Sequence, residues 1–204
     1  MLILDVFTPA TFVPKASLII VVAVLFVPLI VLDPHRLTRE TRWSRWLSIG
    51  LALLLAVANQ ADVVSIIHGL VSGATGGVTV LFGALQVWVA SVVTFAVIYW
   101  ELDRGGPVAR GTLARSALQA ADFKFPQDED GNSVREVSEQ SSEKSDWRPG
   151  FVDYLYMSTT NMMAFSPTDV MPLSPRAKLF MMLQSVTGFV LLALVIARSV
   201  NILA

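Results

Sequence analysis

The sequence predicts an all-α membrane protein with four transmembrane helices and a re-entrant segment between the third and the fourth. Three observations support this prediction. Hydrophobic residues make up 54% of the 204 residues and charged residues only 15%, whereas a soluble domain carries about 25% charged residues. Four segments are apolar and long enough to cross about 30 Å of hydrocarbon. A fifth apolar segment is too short to cross and ends in several prolines.

The same composition argues against most soluble functions. The net charge is −1, so no basic excess points to nucleic acid as a partner. The absence of cysteine excludes disulfides, thiolate metal sites and thiol chemistry. Two histidines leave little room for a zinc site or a Ser-His-Asp triad, and neither GxSxG nor HExxH is present. We therefore expect a protein that is not an enzyme and that needs no cofactor or metal.

Residues 1–76 are predicted to hold the first two spans, joined by a basic loop. The first span covers residues 16–32, which are free of charge and flanked by Lys15 and Asp33. A cleavable signal peptide is the alternative, but the stretch is long for one and lacks a small-x-small cleavage site before Asp33. The second span covers residues 46–70.

The third span covers residues 78–100, within a predicted outer helix at 77–102, and the fourth covers residues 177–203. Between them, residues 103–150 hold nine acidic and seven basic side chains. The part at 127–146 is too polar to bury much apolar surface, which predicts a flexible tract. The aromatic stretch at 120–126 is expected to dock onto the membrane-embedded body.

Polar side chains inside spans are hypotheses for function because they are costly in lipid. Asn59 and Asp62 lie in the second span and Gln86 in the third. A proton or ion relay at Asp62 is one interpretation, and a structural hydrogen-bond cluster or an interfacial anchor is the other. Gln86 and Gln184 are expected to meet across the third and fourth spans.

Residues 151–175 form the short apolar segment. Its first fourteen residues are apolar enough to enter a bilayer, but Pro167, Pro172 and Pro175 prevent a continuous helix onward. Apolar segments of about 10–14 residues are typical of re-entrant or interfacial structure. Irregular backbone at membrane depth needs protein or a water-filled cavity around it. Two interpretations follow, a re-entrant helix with a cavity-lining loop or an interfacial helix with an ordinary loop.

The order of these elements resembles that of the pore-loop cation channel superfamily. More narrowly, residues 78–204 resemble the two-transmembrane potassium-channel-like pore module, in which an outer helix, a pore helix, a filter and an inner helix follow one another. The resemblance depends on spacing and on Tyr156, Ser158, Thr159, Asp169 and Pro172. The chain is also similar to uncharacterised bacterial four-span membrane proteins, which supply no function.

The resemblance implies a re-entrant pore helix followed by a filter-like loop. The family's filter is Thr-Val-Gly-Tyr-Gly before an aspartate, and only the aspartate agrees here. A potassium-selective stack of carbonyl oxygens is therefore not carried over. What remains is a ring of carboxylates in a homotetramer, which favours permeant monovalent cations with weak selectivity. The loop residues are Ala164, Phe165, Ser166, Pro167, Thr168 and Asp169.

The resemblance also makes the fourth span the inner, pore-lining helix. One face of it, spaced by three and four residues, carries Gln184, Gly188, Leu191 and Val195. Gly188 is a candidate hinge, and close helix packing is the alternative reason for a glycine there. Leu191 and Val195 are candidates for an apolar constriction that gates by dewetting.

The distribution of charge conflicts with this channel orientation. With four spans, one side of the membrane holds thirteen of the fifteen basic residues, which places both long loops in the cytoplasm. A potassium-channel-like module needs its re-entrant loop to enter from outside. Three interpretations remain. The pore module is inverted in the membrane, the chain does not follow the positive-inside rule, or the resemblance is wrong.

The functional prediction is a homotetrameric, cation-conducting pore in the cell membrane, crossing it several times. Its expected partners are the lipid bilayer and other copies of itself, with no nucleic acid. The alternatives are a non-conducting membrane scaffold or accessory subunit that uses the tract at 127–146 as an interaction arm, and a small proton-coupled transporter that uses Asp62.

Overall fold

The computed structural model describes residues 42–72, 77–129, 134–163 and 169–203. The first predicted span at 16–32 and the filter-like residues 164–168 lie outside these ranges. In chain order, the described residues form α1 (Arg42–Ser72), α2 (Gly77–Leu102), α3 (Pro107–Thr112), β1 (Phe123–Lys124), α4 (Arg135–Ser138), α5 (Ser142–Ser145), α6 (Phe151–Met162), β2 (Met171–Pro172) and α7 (Pro175–Leu203).

Three of these helices are long and apolar enough to cross a membrane. The candidate spans are Ser48–His68 in α1, Leu81–Gly105 at α2 and Pro175–Val200 in α7. They coincide with the second, third and fourth spans predicted from the sequence. The chain is therefore a predominantly helical membrane protein.

The centre of the bundle is α2, which packs against α1, α6 and α7. Its side chains from Phe95 to Tyr99 are almost completely buried, because neighbours lie on several sides of it. On α1, the buried residues Ala52 and Ala56 are small, which lets helix backbones approach closely in a membrane.

The chain leaves α2 through a sharp turn that glycine makes possible. Gly105 and Gly106 have φ of 88° and 95°, a region that other residues rarely adopt. A Cβ at Gly106 would lie 3.3 Å from the carbonyl oxygen of Glu101. Pro107 then occupies the first turn of α3, where its missing N–H is no loss. The turn ends the span and directs the chain into residues 103–150, which we call the cap.

The cap docks onto the membrane-embedded body through an aromatic cluster. Phe123 and Phe125 are buried. The ring of Phe123 lies 5.2 Å from that of Tyr99, and the ring of Phe125 lies 5.4 Å from that of Tyr154. The β1 strand pairs antiparallel with β2, with Phe123 opposite Pro172. The predicted docking of residues 120–126 is confirmed.

The described part of the tract at 127–146 contains the short helices α4 and α5. Arg104 donates a hydrogen bond of 2.5 Å to Asp128, and Arg115 donates one of 2.7 Å to Asp146. These contacts join the tract to the rest of the cap, and its flexibility stays a prediction.

A second apolar cluster lies deeper in the bundle and joins all three long helices to α6. Its buried side chains come from α1, α2, α6 and α7, and they are Val63, Val87, Val92, Met162 and Leu191. Because Met162 is the last residue of α6, the end of this short helix is part of the core of the bundle.

Candidate functional site: the short helix between two spans

The short apolar segment predicted at 151–164 forms α6, which begins after Gly150. The side chain of Asp153, in the first turn, accepts a hydrogen bond of 2.7 Å from the backbone N–H of Gly150. A carboxylate here satisfies one orphan N–H of the helix start and complements the helix dipole. The helix continues to Met162, twelve residues in all, which is too short to cross a bilayer.

One face of α6 is buried against its neighbours. The residues of this face recur at helical spacing, and they are Tyr154, Met157, Ser158, Asn161 and Met162. The opposite side exposes Val152, Tyr156 and Met163. One side of α6 therefore packs against α2 and α7, and the other side is exposed.

Gln184 of α7 is the centre of a buried hydrogen-bond network at this face. Its Oε1 accepts hydrogen bonds from the hydroxyl of Tyr99 at 2.7 Å and from Nδ2 of Asn161 at 2.9 Å. Its Nε2 donates to the carbonyl oxygen and to the hydroxyl of Ser158, at 3.0 Å and 2.7 Å. These four bonds use the full capacity of an amide side chain. Gln184 was expected to meet Gln86, but its side-chain amide is fully used by Tyr99, Asn161 and Ser158.

The network joins α6 to both flanking spans. The hydroxyl of Ser158 donates a 2.7 Å hydrogen bond to the carbonyl oxygen of Val92 in α2. Asn161 donates from Nδ2 to the carbonyl oxygen of Met181 in α7, at 3.0 Å. Because these groups are buried, each lost bond leaves a polar atom unpaired, so α6 is held in one register.

Tyr99 and Asn161 are members of this network that the sequence did not point to. Tyr99 lies near the end of the third predicted span, where aromatic rings with a polar group favour the membrane surface, yet it is completely buried. Asn161 stands out as an amide in an apolar stretch, and that was the available signal. Polar residues in a membrane segment call for a partner.

The end of α6 reaches far along α7. A Cβ built on Gly188 would overlap the carbonyl group of Met162, so only glycine fits there. Gly188 lies thirteen residues after Pro175, the start of α7, which is about 20 Å along a helix. Close packing is thus the observed reason for this glycine.

The face of α7 that was predicted to line a pore lies inside the chain. Gln184 and Leu191 are 0% and 2% exposed, Gly188 is buried and Val195 is half-buried. Gln184, Gly188 and Leu191 are covered by α6 and α2 of the same chain and do not lie on its surface. Their assignment as pore-lining residues stays a prediction.

The polar residues of the second span form structural contacts between helices. Asn59 is buried and donates a 2.6 Å hydrogen bond from Nδ2 to the hydroxyl of Ser91 in α2. Gln60 accepts one of 3.3 Å from Thr187 in α7. These two bonds join α1 to α2 and to α7, and the choice between a relay and a structural cluster at Asp62 stays a prediction. Asp62 and Gln86 also have interaction partners.

Asp169, the filter-like residue that the structure describes, is exposed beside the cap. It borders a surface cavity of about 420 Å³, whose other lining residues include Lys124, Phe125, Glu129 and Met171. Lys124 and Glu129 form an ion pair there. In the described ranges, no group of three or more His, Asp or Glu side chains is arranged to hold a metal ion.

Comparison with known proteins gives no relative from which to assign a function. No protein-family model, no curated protein and no solved structure matches this chain. The likeness to the pore-loop superfamily therefore depends on the residues quoted above.

Proposed function

We propose that the chain is a pore-loop, ion-channel-like membrane protein in which residues 151–174 are a re-entrant segment. The observation that carries this proposal is the contact between the end of α6 and Gly188, about 20 Å along α7 from its start. The chain returns from that depth to β2 and Pro175 within twelve residues. A helix that stops halfway along a span and a chain that then returns are the two parts of a re-entrant hairpin.

The electrostatics of the segment favour cations. The carboxyl end of a helix carries partial negative charge, and α6 ends deep between α2 and α7. Asp169 follows and adds a carboxylate. One hairpin does not enclose a pore, so the proposal includes a homotetramer with four such segments around an axis.

The burial of Gln184, Gly188 and Leu191 changes which face of α7 lines such a pore. The axis of an oligomer can only meet the exposed face of the helix, which between Leu179 and Val200 carries apolar side chains alone. Met182, Val186 and Phe189 are its bulky members near the middle of the helix. A pore lined by them has a hydrophobic gate.

A non-conducting scaffold is the second candidate, and one observation favours it. The polar groups on the packed face of α6 make hydrogen bonds within the chain, and the exposed face of α7 is apolar, as lipid or another helix requires. In this interpretation α6 is a structural wedge that stabilises the bundle. The two candidates have the same fold and differ in whether the protein passes ions.

The re-entrant path is tested by measuring depth in the membrane. The chain has no cysteine, so Val152→Cys, Met163→Cys and Val186→Cys each give a single label site. All three positions are exposed. After spin labelling in liposomes, power saturation with oxygen and a nickel chelate reports depth. We expect Met163→Cys to resemble Val186→Cys in depth, and a match with Val152→Cys instead refutes a re-entrant helix.

The conducting function is tested by ion flux in proteoliposomes, together with the molar mass of the protein in detergent. A tetramer that conducts cations supports the pore. Asp169→Asn is expected to lower the preference for cations over anions without changing the mass. An intact oligomer that passes no ions under any voltage or pH supports the scaffold.

A further inference from the structure

Two buried carboxylates of the cap are not part of the network around Gln184. The first is Asp103, which is completely buried at the end of α2. Its Oδ2 accepts hydrogen bonds from the hydroxyl of Tyr154 at 2.6 Å and from Arg104 at 3.1 Å. Tyr154 lies in the first turns of α6, so Asp103 holds the entry of the re-entrant segment.

The second carboxylate, Asp122, holds the other end of the same segment. It accepts hydrogen bonds from Nε and Nη2 of Arg176, at 2.7 Å and 2.5 Å, and a further one from the hydroxyl of Ser174. Its carbonyl oxygen accepts from the N–H of Leu173 at 2.8 Å. Bidentate pairing of this kind is strong and fixes geometry. Asp122 therefore fixes the chain where it enters α7.

The two carboxylates are also joined to each other. The backbone N–H of Asp122 donates a hydrogen bond of 2.7 Å to Oδ1 of Asp103. Arg110 also contacts the entry of the segment. Its guanidinium donates hydrogen bonds to the carbonyl oxygens of Trp100 and Asp103, and it lies 5.0 Å above the ring of Tyr154. Burial lowers the pKa of the Arg110 guanidinium below its ordinary value.

We propose that Asp103 and Asp122 are positioning residues that form one clamp across both ends of the re-entrant segment. Asp103 holds the entry through Tyr154, and Asp122 holds the exit through Ser174 and Arg176. The distance between entry and exit is then set by the cap, through the hydrogen bond that joins the two carboxylates. The inference rests on the proposed function insofar as residues 151–174 are re-entrant.

The clamp makes a prediction that two independent anchors do not make. Breaking the entry contact should loosen the exit, because the hydrogen bond between Asp103 and Asp122 connects them. Two anchors that act separately would confine each effect to its own end. The test therefore perturbs the entry and measures at the exit.

The reporter is Val170→Cys in the otherwise cysteine-free chain. Val170 is 3% exposed and lies next to the exit, so its labelling by a maleimide reports transient opening. With the protein in proteoliposomes, Tyr154→Phe and Asp122→Asn are each expected to raise the labelling rate about tenfold, the effect of losing a hydrogen bond to a charged group. Tyr154→Phe removes only the hydroxyl and keeps the buried ring.

The matched control is Asp146→Asn, which alters an exposed carboxylate of the same cap that pairs with Arg115 and Arg148. It should leave the labelling rate unchanged. Native labelling rates for both Tyr154→Phe and Asp122→Asn would overturn the clamp. A rise with Asp122→Asn alone would show two separate anchors, which also overturns it. If Asp122→Asn does not fold, Tyr154→Phe with Ser174→Ala decides.

These outcomes are separate from those of the proposed function. The labelling rate does not depend on conduction, so raised labelling in a protein that passes no ions retains the clamp and rejects the pore. A shallow position of Met163 in the depth measurement rejects the re-entrant path whatever the labelling rates are.

Discussion

Gly188→Ala tests the deepest contact of the proposed site. The added Cβ would overlap the carbonyl group of Met162 at the end of α6. Since the obstacle is backbone, no rotation of a side chain removes the overlap, and the end of α6 has to move away from α7. Overpacking of this kind costs about 3 kcal/mol at the upper end of its range. The better helix propensity of alanine returns about 1 kcal/mol.

The net loss is therefore about 2 kcal/mol of the free energy of unfolding. For a chain of this size, 1 kcal/mol shifts Tm by roughly 2–4 °C, so we expect Gly188→Ala to lower Tm by roughly 4–8 °C. Thermal unfolding in detergent, followed by tryptophan fluorescence at one fixed scan rate, measures this shift. Gly50→Ala is the control, because Gly50 is an exposed glycine of α1 with open space around its Cβ position. Its Tm should stay the same or rise.

The result that refutes the reasoning is a Tm of Gly188→Ala at or above that of the native protein. In that case α7 accommodates a methyl group and the end of α6 is not pressed against it. The double variant of Gly188→Ala with Met162→Ala separates backbone from side-chain contact. Truncating Met162 should not restore Tm, and restoration would show that its side chain was the obstacle.

Three further predictions concern polar contacts, and each is measured by the same thermal unfolding. Gln184→Leu should cost about 3 kcal/mol, because it leaves several buried groups unpaired; a loss below about 1 kcal/mol contradicts the network. Asn59→Ala and Ser91→Ala should each cost about 1 kcal/mol, and the double variant less than their sum, since both remove one shared bond; full additivity argues against that bond. Arg110→Lys should lower Tm although charge is kept, because lysine does not reach two carbonyl oxygens while stacking on an aromatic ring; an unchanged Tm would mean that charge alone matters.

The positions of the long helices followed from the sequence because they depend on local composition. A run of about 20 apolar residues is stable as a helix in lipid whatever surrounds it, and α1, α2 and α7 lie where such runs were found. The short helix α6 was also predictable from its length and from the prolines after it. These features need no knowledge of tertiary contacts.

The orientation of α7 was not predictable in the same way. Helical spacing places Gln184, Gly188 and Leu191 on one face, but it does not say what that face meets. A glutamine in a span has two explanations, a water-filled path or a buried hydrogen-bond partner. The partners here, Tyr99 and Asn161, lie 85 and 23 residues away in sequence, so pattern within one helix does not reveal them.

The cap shows the same limit for charged residues. Its average composition is polar, yet Asp103 and Asp122 are among the most deeply buried side chains of the described chain. Their burial depends on Tyr154 and Arg176, which arrive from later elements. Composition reports how many charges a segment has, and tertiary pairing decides which of them leave water.

The internal pairing of polar groups limits how this protein can conduct ions. The Gln184 network has no spare hydrogen-bonding capacity in its central amide, so a permeating ion that entered it would have to break bonds between α2, α6 and α7. Ion passage along that route would release α6 from its neighbours. In the proposed function, conduction therefore requires a path between copies, along the apolar face of α7 and past the end of α6. Oligomeric state is for that reason the property that separates the pore from the scaffold most directly, because within the described ranges one copy shows no route that leaves its core intact.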